Sequence, residues 1–165
     1  MHFSMKNKDY IYSSLSSKDN IKGIIHICHG KGEHIGRYSW LISMLNSDGY
    51  HVISMDHRGH GRWIENNHEK GIFSKTNGWE LITEDLRNLI VDTNQEYPDL
   101  DQYLLAHSMG SWVGLNLIMN NTNIKGLIIS GSSKFPRSLI LAQKFLINIS
   151  IFFKGEHAIN PILNY

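Results

Sequence analysis

The chain has 165 residues, of which 41% are hydrophobic and 19% charged, and its formal net charge is +1. These values fit one globular domain with its own core and exclude a disordered chain. The 16 basic residues form no run, so nucleic acid is not expected as a partner.

The cysteine content and the amino terminus both bear on where the protein works. Cys28 is the only cysteine, so it cannot form an internal disulfide, which suits a reducing compartment. Residues 1–10 contain lysines but no apolar region of the kind found in secretory signals. We therefore expect a cytoplasmic location.

Apolar runs rich in β-branched residues recur along the chain, and each ends near Gly, Asp or Ser. Such runs predict buried parallel strands, here at residues 21–28, 50–55, 103–106 and 124–129. Residues 10–14 predict a further strand, antiparallel to the rest. The strands alternate with helical patterns, as follows.

The first helical pattern follows residue 28 and ends before Gly49, a residue suited to the position after a helix. Its apolar face is formed by His34, Tyr38, Leu41 and Leu45.

The second helical pattern begins at Asn77, with Glu80 three residues later, a spacing that predicts a capping box. Its apolar face is formed by Trp79, Ile82, Leu86 and Leu89 or Ile90. A third helix is predicted from Ser108 to about residue 120, where Gly110 and Gly114 lie one turn apart and allow close packing on a sheet.

Alternating strands and helices predict an α/β fold, with a mostly parallel sheet covered by helices on both faces and right-handed crossovers. Functional residues are then expected at the carboxyl ends of the strands. Residues 138–153 are strongly apolar but shorter than a bilayer span and interrupted by Gln143, Lys144 and Asn148. We interpret them as a buried or lipid-facing helix.

Ser108 lies where a predicted strand runs directly into a helix, which is the context of a nucleophile elbow. The strained turn needs small residues two positions before and after the serine, and these are Ala106 and Gly110. The alternative interpretation is an ordinary helix N-cap serine.

The first predicted parallel strand ends in a second signal, the loop His29-Gly30-Lys31-Gly32. A His-Gly loop in this position supplies an oxyanion hole, in which backbone amides stabilise the negative charge that acyl transfer places on a carbonyl oxygen. The predicted donors are the amides of Lys31 and Met109.

A third signal, Asp56-His57-Arg58-Gly59-His60-Gly61, follows the next strand. Together the three motifs resemble the monoacylglycerol lipase and lysophospholipase branch of the α/β-hydrolases, over about residues 10 to 135. Ala106 and Arg62 depart from that pattern, since the family has glycine and usually serine there.

The resemblance implies the amino-terminal part of an α/β-hydrolase core over residues 1–135, followed by the start of a cap over residues 136–165. It also implies a serine esterase or lipase that needs no cofactor and forms an acyl-enzyme on Ser108 from a small acyl ester, expected to be a lipid. Contact with a lipid surface would accompany such a substrate. His29, Gly30, Gly32, Asp56, Arg58, Gly59, His60, Gly61, Ala106 and Gly110 would shape the loops.

Family members place the triad acid and histidine on separate loops after the nucleophile. After Ser108 this chain has one acidic residue, Glu156, and one histidine, His157, which are adjacent. Adjacent residues rarely fill both roles. We therefore expect an incomplete triad, an exposed sheet edge and a complementing polypeptide, and the alternative is a non-catalytic fragment or binding module of the same fold.

Two other kinds of site are less consistent with the sequence. A metal site could draw on the histidines near strand ends, but no His-Glu-x-x-His helix or cysteine pair accompanies them. A dinucleotide site could use Gly30, Gly32 and Gly36, but their spacing differs from that fingerprint by one residue. The histidines concerned are His26, His29, His34, His57 and His60.

Overall fold

The structure is a computed structural model that describes residues 9–66, 68–120 and 122–155. The chain divides into two compact units, Met1–Ser132 and Ser133–Tyr165. In the first unit, the described strands are β1 (Ile11–Ser14), β2 (Gly23–Cys28), β3 (Tyr50–Met55), β4 (Gln102–His107) and β5 (Gly126–Ser130).

The five strands form one sheet in the order β1-β3-β2-β4-β5. β1 pairs antiparallel with β3, with Ile11 opposite Met55, and the other three pairs are parallel. This confirms the predicted α/β fold class, with its mostly parallel sheet and an antiparallel amino-terminal strand. Because these strands are parallel, the carboxyl ends of β2, β3 and β4 lie at the same end of the sheet.

The described residues of the first unit contain four α-helices. They are α1 (Ser39–Ser47), α2 (Arg62–Glu65), α3 (Gly78–Glu96) and α4 (Met109–Met119). A 3₁₀ turn at Ile35–Tyr38 directly precedes α1. The prediction placed Tyr38 and Leu41 on one continuous helix, whereas the structure divides the segment at Tyr38. Gly49 ends α1 with φ 96°, as predicted.

Helices cover both faces of the sheet because alternate strand residues point to opposite sides. On one face Ile24, Ile53 and Leu104 pack with residues of α3 and α4. On the other face Ile25, Ile27 and Val52 pack with the 3₁₀ turn and α1. The core is thus two apolar layers separated by the sheet.

The predicted capping box at the start of α3 is wrong. Asn77 has φ 53°, in the left-handed region, and its side chain makes no capping hydrogen bond. An N-cap side chain normally reaches the helix amides from an extended backbone. The left-handed turn at Asn77 replaces that geometry, while Glu80 remains exposed.

β5 forms one edge of the described sheet. Ile128 and Ile129 of this strand are exposed, as are Trp112, Leu115 and Met119 of the neighbouring α4. Apolar side chains at a strand edge are the feature expected from the sequence.

The second unit contains α5 (Arg137–Lys154) within its described residues. The predicted helix at residues 138–153 is confirmed. Phe145, Phe152 and Phe153 are exposed on it. Across the described parts of the chain, no helix combines the length and apolar character needed to cross a membrane. The assignment of residues 136–165 to a cap stays a prediction, and residues 156–165 lie outside the described part.

Arg62, one of the two departures from the motif pattern described above, stabilises the edge strand β1 through contacts with residues 9–12. Its guanidinium lies 3.8 Å from the centre of the Tyr12 ring. Its Nη1 donates to the carbonyl oxygens of Asp9 (3.0 Å) and Ile11 (3.3 Å). A cation stacked on an aromatic ring and bonded to two carbonyls holds a strand that has only one neighbour in the sheet.

We predict that Arg62→Ser, which restores the usual family residue, lowers the free energy of unfolding by about 1–2 kcal/mol because it removes the stacking and both hydrogen bonds. Urea denaturation measures the change. Arg37→Ser, at an exposed arginine, is the control and should change stability by less than about 0.5 kcal/mol. Equal effects of the two substitutions would contradict the assignment.

Candidate active site

Ser108 occupies a strained turn between β4 and α4. Its φ and ψ are 51° and −120°, and Asn77 is the only other non-glycine residue with positive φ in the described ranges. A non-glycine residue in this region costs free energy and persists only where its surroundings hold it. Here the Ser108 amide donates to the Ser130 carbonyl at 2.8 Å, and the Ser111 amide donates to the Ser108 carbonyl at 2.9 Å.

The turn leaves the Ser108 side chain half-buried, and it makes no capping hydrogen bond to α4. This geometry disfavours the N-cap alternative, in which the hydroxyl would accept a bond from the first turn of the helix.

The small residues flanking the serine lie where backbone segments meet. A Cβ on Gly110 would lie 2.2 Å from the carbonyl oxygen of Cys28 and 2.6 Å from that of His29. Ala106 is fully buried, and a Cβ on Gly114 would lie 3.2 Å from the Ala106 methyl group. The predicted close packing of α4 on the sheet is confirmed, and a methyl group is accommodated at position 106.

We predict that Gly110→Ala destabilises the protein by about 2–3 kcal/mol, because a clash with rigid backbone outweighs the better helix propensity of alanine. Gly114→Ala is the matched control in the same helix, since its Cβ would meet only side-chain atoms, at 3.2–3.3 Å. Thermal or urea unfolding should show a clearly smaller loss for Gly114→Ala. A similar loss for both variants would contradict the prediction.

The first loop, residues 28–33, passes directly over the elbow. A Cβ on Gly30 would lie 3.0 Å from Ser108 Cβ and 3.4 Å from the His107 carbonyl oxygen. Lys31, which is exposed, follows Gly30, and Met109, which is buried, follows Ser108 as the first residue of α4. The structure therefore brings together the two segments to which the predicted oxyanion donors belong.

His29 joins the first loop to the second loop, residues 56–61. Its Nδ1 lies 2.8 Å from the Gly30 carbonyl oxygen, and its Nε2 accepts a hydrogen bond from the His57 amide at 2.9 Å. This pattern needs a neutral ring protonated on Nδ1. Although His29 Nε2 lies 3.8 Å from Asp56 Oδ1, that nitrogen carries no proton in this form, so the two groups do not form a salt bridge.

His57 and His60 of the second loop also form hydrogen bonds with the first loop. The His57 Nε2 lies 3.2 Å from the His29 carbonyl oxygen, to which it donates. His60 accepts from the Gly32 amide through Nε2 at 3.2 Å and donates to the Arg58 carbonyl through Nδ1 at 3.0 Å. These histidines are thus engaged in loop structure. In the described portion of the chain, no group of three or more His, Cys, Asp or Glu side chains could hold a metal ion.

Asp56 is a buried carboxylate that connects three segments. It accepts hydrogen bonds from the Ile35 amide (2.7 Å), the Arg62 amide (2.9 Å) and the Tyr12 hydroxyl (2.9 Å). A Cβ on Gly61 would lie 2.1 Å from Asp56 Oδ2, so the motif requires glycine there. Both carboxylate oxygens of Asp56 thus accept hydrogen bonds from the protein, which indicates a structural role.

Arg58 and Gly59 hold the second loop against its surroundings. Arg58 forms two parallel hydrogen bonds with Asp85 of α3, at 2.5 Å and 3.0 Å. Such a bidentate pair fixes direction as well as distance. Gly59 has φ 70°, and a Cβ there would lie 2.6 Å from the Ile72 carbonyl oxygen, so this turn also requires glycine.

Sequence reasoning gave no individual role to Glu33 or His107, which face each other close to Ser108. Glu33 Oε1 is 3.5 Å from His107 Nε2, and Glu33 Oε2 accepts a hydrogen bond from the Tyr38 hydroxyl at 2.8 Å. The available signal was their position in the sequence, since Glu33 directly follows the His29–Gly32 loop and His107 directly precedes Ser108. Glu156 and His157, the acidic residue and histidine that follow the nucleophile, lie outside the described residues.

Burial keeps His29 and His57 neutral. Desolvation lowers the pKa of His29 to about 4, partly offset by its bond to the Gly30 carbonyl. Desolvation also lowers the pKa of His57 well below its usual value, and the neighbouring His29 and His60 add to that effect. In the folded protein His29 and His57 are therefore harder to protonate than in the unfolded chain.

We predict that acid weakens the fold through these two groups. Because their native pKa values lie below the unfolded value of about 6.5, their contribution is fully present above pH 6.5 and is lost as pH falls toward 4. The free energy of unfolding should fall by up to about 1.4 kcal/mol per pH unit for each histidine. Urea denaturation at constant ionic strength measures this slope.

The variant His57→Gln should show a shallower slope than the unaltered protein, because glutamine does not titrate. Equal stability of the unaltered protein at pH 7 and pH 5 would contradict the prediction.

Comparisons with known proteins give a consistent family and fold. The family model described as Serine aminopeptidase, S33, matches residues 19–154. A monoglyceride lipase homolog of monkeypox virus is 32% identical over 157 residues, covering 87% of this chain and 52% of the relative. The monoglyceride lipase of Mus musculus is 33% identical over 132 residues, covering 76% and 42%.

A solved structure extends the comparison to the fold. A highly thermostable carboxyl esterase from Bacillus coagulans, in complex with glycerol, superposes with a TM-score of 0.76 at 28% identity. The match covers 90% of this chain and 48% of the esterase. This chain spans about half the length of the curated relatives it matches.

Proposed function

Because this chain belongs to the Serine aminopeptidase, S33, family of hydrolases, we propose that it acts as a lipase- or esterase-type hydrolase with Ser108 as its nucleophile. The observation that carries the proposal is the strained turn at Ser108 with Gly30 packed on it, so that a Cβ at position 30 would lie 3.0 Å from Ser108 Cβ. A strained residue in contact with a glycine loop is typical of a nucleophile elbow.

The proposed reaction is acyl transfer in two steps. Ser108 Oγ attacks the ester carbonyl carbon, its proton passes to a base and then to the departing alkoxide, and an acyl-enzyme forms. Water then attacks the acyl-enzyme and releases the acid and the free serine. The amides of Lys31 and Met109 would donate to the oxyanion in both steps. Their places directly after Gly30 and Ser108 support this assignment.

The proposed substrate is a small acyl ester derived from a lipid, and no cofactor enters the reaction. Support comes from the relatives, among which are monoglyceride lipases, and from the carboxyl esterase structure. We also propose that the protein works in the cytoplasm, in contact with a lipid surface. The single cysteine, which is buried, is consistent with a reducing compartment.

A specific observation supports a second candidate, a binding module without hydrolytic activity. Catalysis needs a base near Ser108 and an acid that orients it, and in this fold both follow the nucleophile. The residues after Ser108 include one acid and one histidine, which are neighbours in sequence. A chain that lacked a base would still offer the two proposed donor amides to an ester.

We predict that a fluorophosphonate probe labels the protein at Ser108, because such probes react with serines that are activated by a base and an oxyanion hole. Mass spectrometry of the labelled protein identifies the modified residue. Ser108→Ala should abolish labelling, and Ser132→Ala, at an exposed serine nearby, should retain it.

The two candidates give opposite results in this experiment. Labelling that requires Ser108 supports the hydrolase. A folded protein that takes no label, or that labels equally in Ser108→Ala, contradicts the hydrolase and supports the binding module.

A further inference from the structure

Glu33 lies in the first loop with both carboxylate oxygens directed at partners. Oε2 accepts a hydrogen bond from the Tyr38 hydroxyl at 2.8 Å, and Oε1 lies 3.5 Å from His107 Nε2. The Glu33 side chain is 17% exposed. One carboxylate oxygen thus accepts from Tyr38 while the other faces the His107 ring, an arrangement that a neutral amide, with a single oxygen, does not reproduce.

His107 directly precedes Ser108 and connects three segments of the fold. Its Nε2 is directed at Glu33 of the first loop. Its Nδ1 lies 3.4 Å from Ser130 Oγ at the end of β5. A Cβ on Gly131, which follows β5, would lie 2.9 Å from the ring. The His107 imidazole thus contacts the end of β5 through one side of the ring and faces Glu33 of the first loop through Nε2.

The Glu33 carboxylate also contacts the backbone that approaches the serine. A Cβ on Gly30 would lie 2.6 Å from Glu33 Oε1 and 3.0 Å from Ser108 Cβ. The Gly30 Cα therefore faces the Glu33 carboxylate and the Ser108 side chain together, and a shift of Glu33 would remove one of these two neighbours of Gly30.

We propose that Glu33 and His107 are positioning residues that fix the Gly30–Lys31 segment against Ser108. A chain of polar side chains runs from the 3₁₀ turn at Ile35–Tyr38 to β5 and clamps the first loop onto the elbow; its members are Tyr38, Glu33, His107 and Ser130. The role assigned to Lys31 rests on the proposed function, whereas the clamp itself is a property of the fold. Positional errors of about 1 Å in such segments lower rates by up to about a hundredfold.

The first test measures the clamp without using activity. Amide hydrogen exchange, read by mass spectrometry on peptides covering residues 28–34, reports opening of the first loop. Glu33→Gln keeps the size of the side chain and removes one acceptor. We expect exchange in this segment to rise about tenfold in Glu33→Gln and in His107→Asn, while a peptide from α3 is unchanged.

The double variant distinguishes a shared clamp from two independent packing effects. If Glu33 and His107 act through each other, Glu33→Gln combined with His107→Asn should raise exchange no further than either single variant. Glu80→Gln, at an exposed glutamate of α3, is the matched control and should leave the loop unchanged. Unchanged loop exchange in Glu33→Gln, or additive effects in the double variant, would overturn the proposal.

The second test concerns positioning of the reactive groups. In a time course of fluorophosphonate labelling, Glu33→Gln should lower the maximal rate of modification by about tenfold and leave the concentration for half-maximal rate unchanged. A change confined to that concentration would overturn the proposal. If the unaltered protein takes no label while loop exchange responds as expected, the hydrolase function fails and the clamp stands.

Discussion

The arrangement of the site depends on one interaction, the exchange of hydrogen bonds between two loops through neutral imidazoles. His29 accepts from the amide of the second loop, and His60 accepts from the amide of the first. A neutral ring offers one donor and one acceptor, and each of these rings uses both. A protonated ring has no acceptor, so the hydrogen bond that His29 accepts from the His57 amide exists only while burial keeps the His29 ring uncharged.

The same backbone conformation occurs twice at the carboxyl edge of the sheet. Gly61 has φ 48° and ψ −126°, close to the 51° and −120° of Ser108, and each residue precedes a helix. At Gly61 the turn is occupied by the residue that adopts it most readily, and the Asp56 carboxylate leaves no room for another. At Ser108 a side chain is retained despite the strain, which is consistent with the proposed role of its hydroxyl as the nucleophile.

Much of the fold follows from the sequence because hydrophobic periodicity reports directly on buried faces. The bounds of β3 match the prediction, and the antiparallel strand β1 lies within the predicted residues 10–14. The capping box at Asn77 failed because local spacing does not reveal a left-handed backbone. The clamp between Glu33 and His107 joins residues 74 positions apart, so only the tertiary structure brings it into view. The motifs predicted which segments meet at Ser108, while the roles of the Lys31 and Met109 amides remain proposals.

The three donors on Asp56 come from the edge strand β1, the first residue of the 3₁₀ turn and the start of α2. Tyr12 therefore shares one carboxylate with Ile35, although it belongs to the outermost strand of the sheet. Tolerance to substitution in this protein should not increase simply with distance from the serine. A residue at the margin of the sheet can be as constrained as one close to the serine when both depend on a single buried carboxylate.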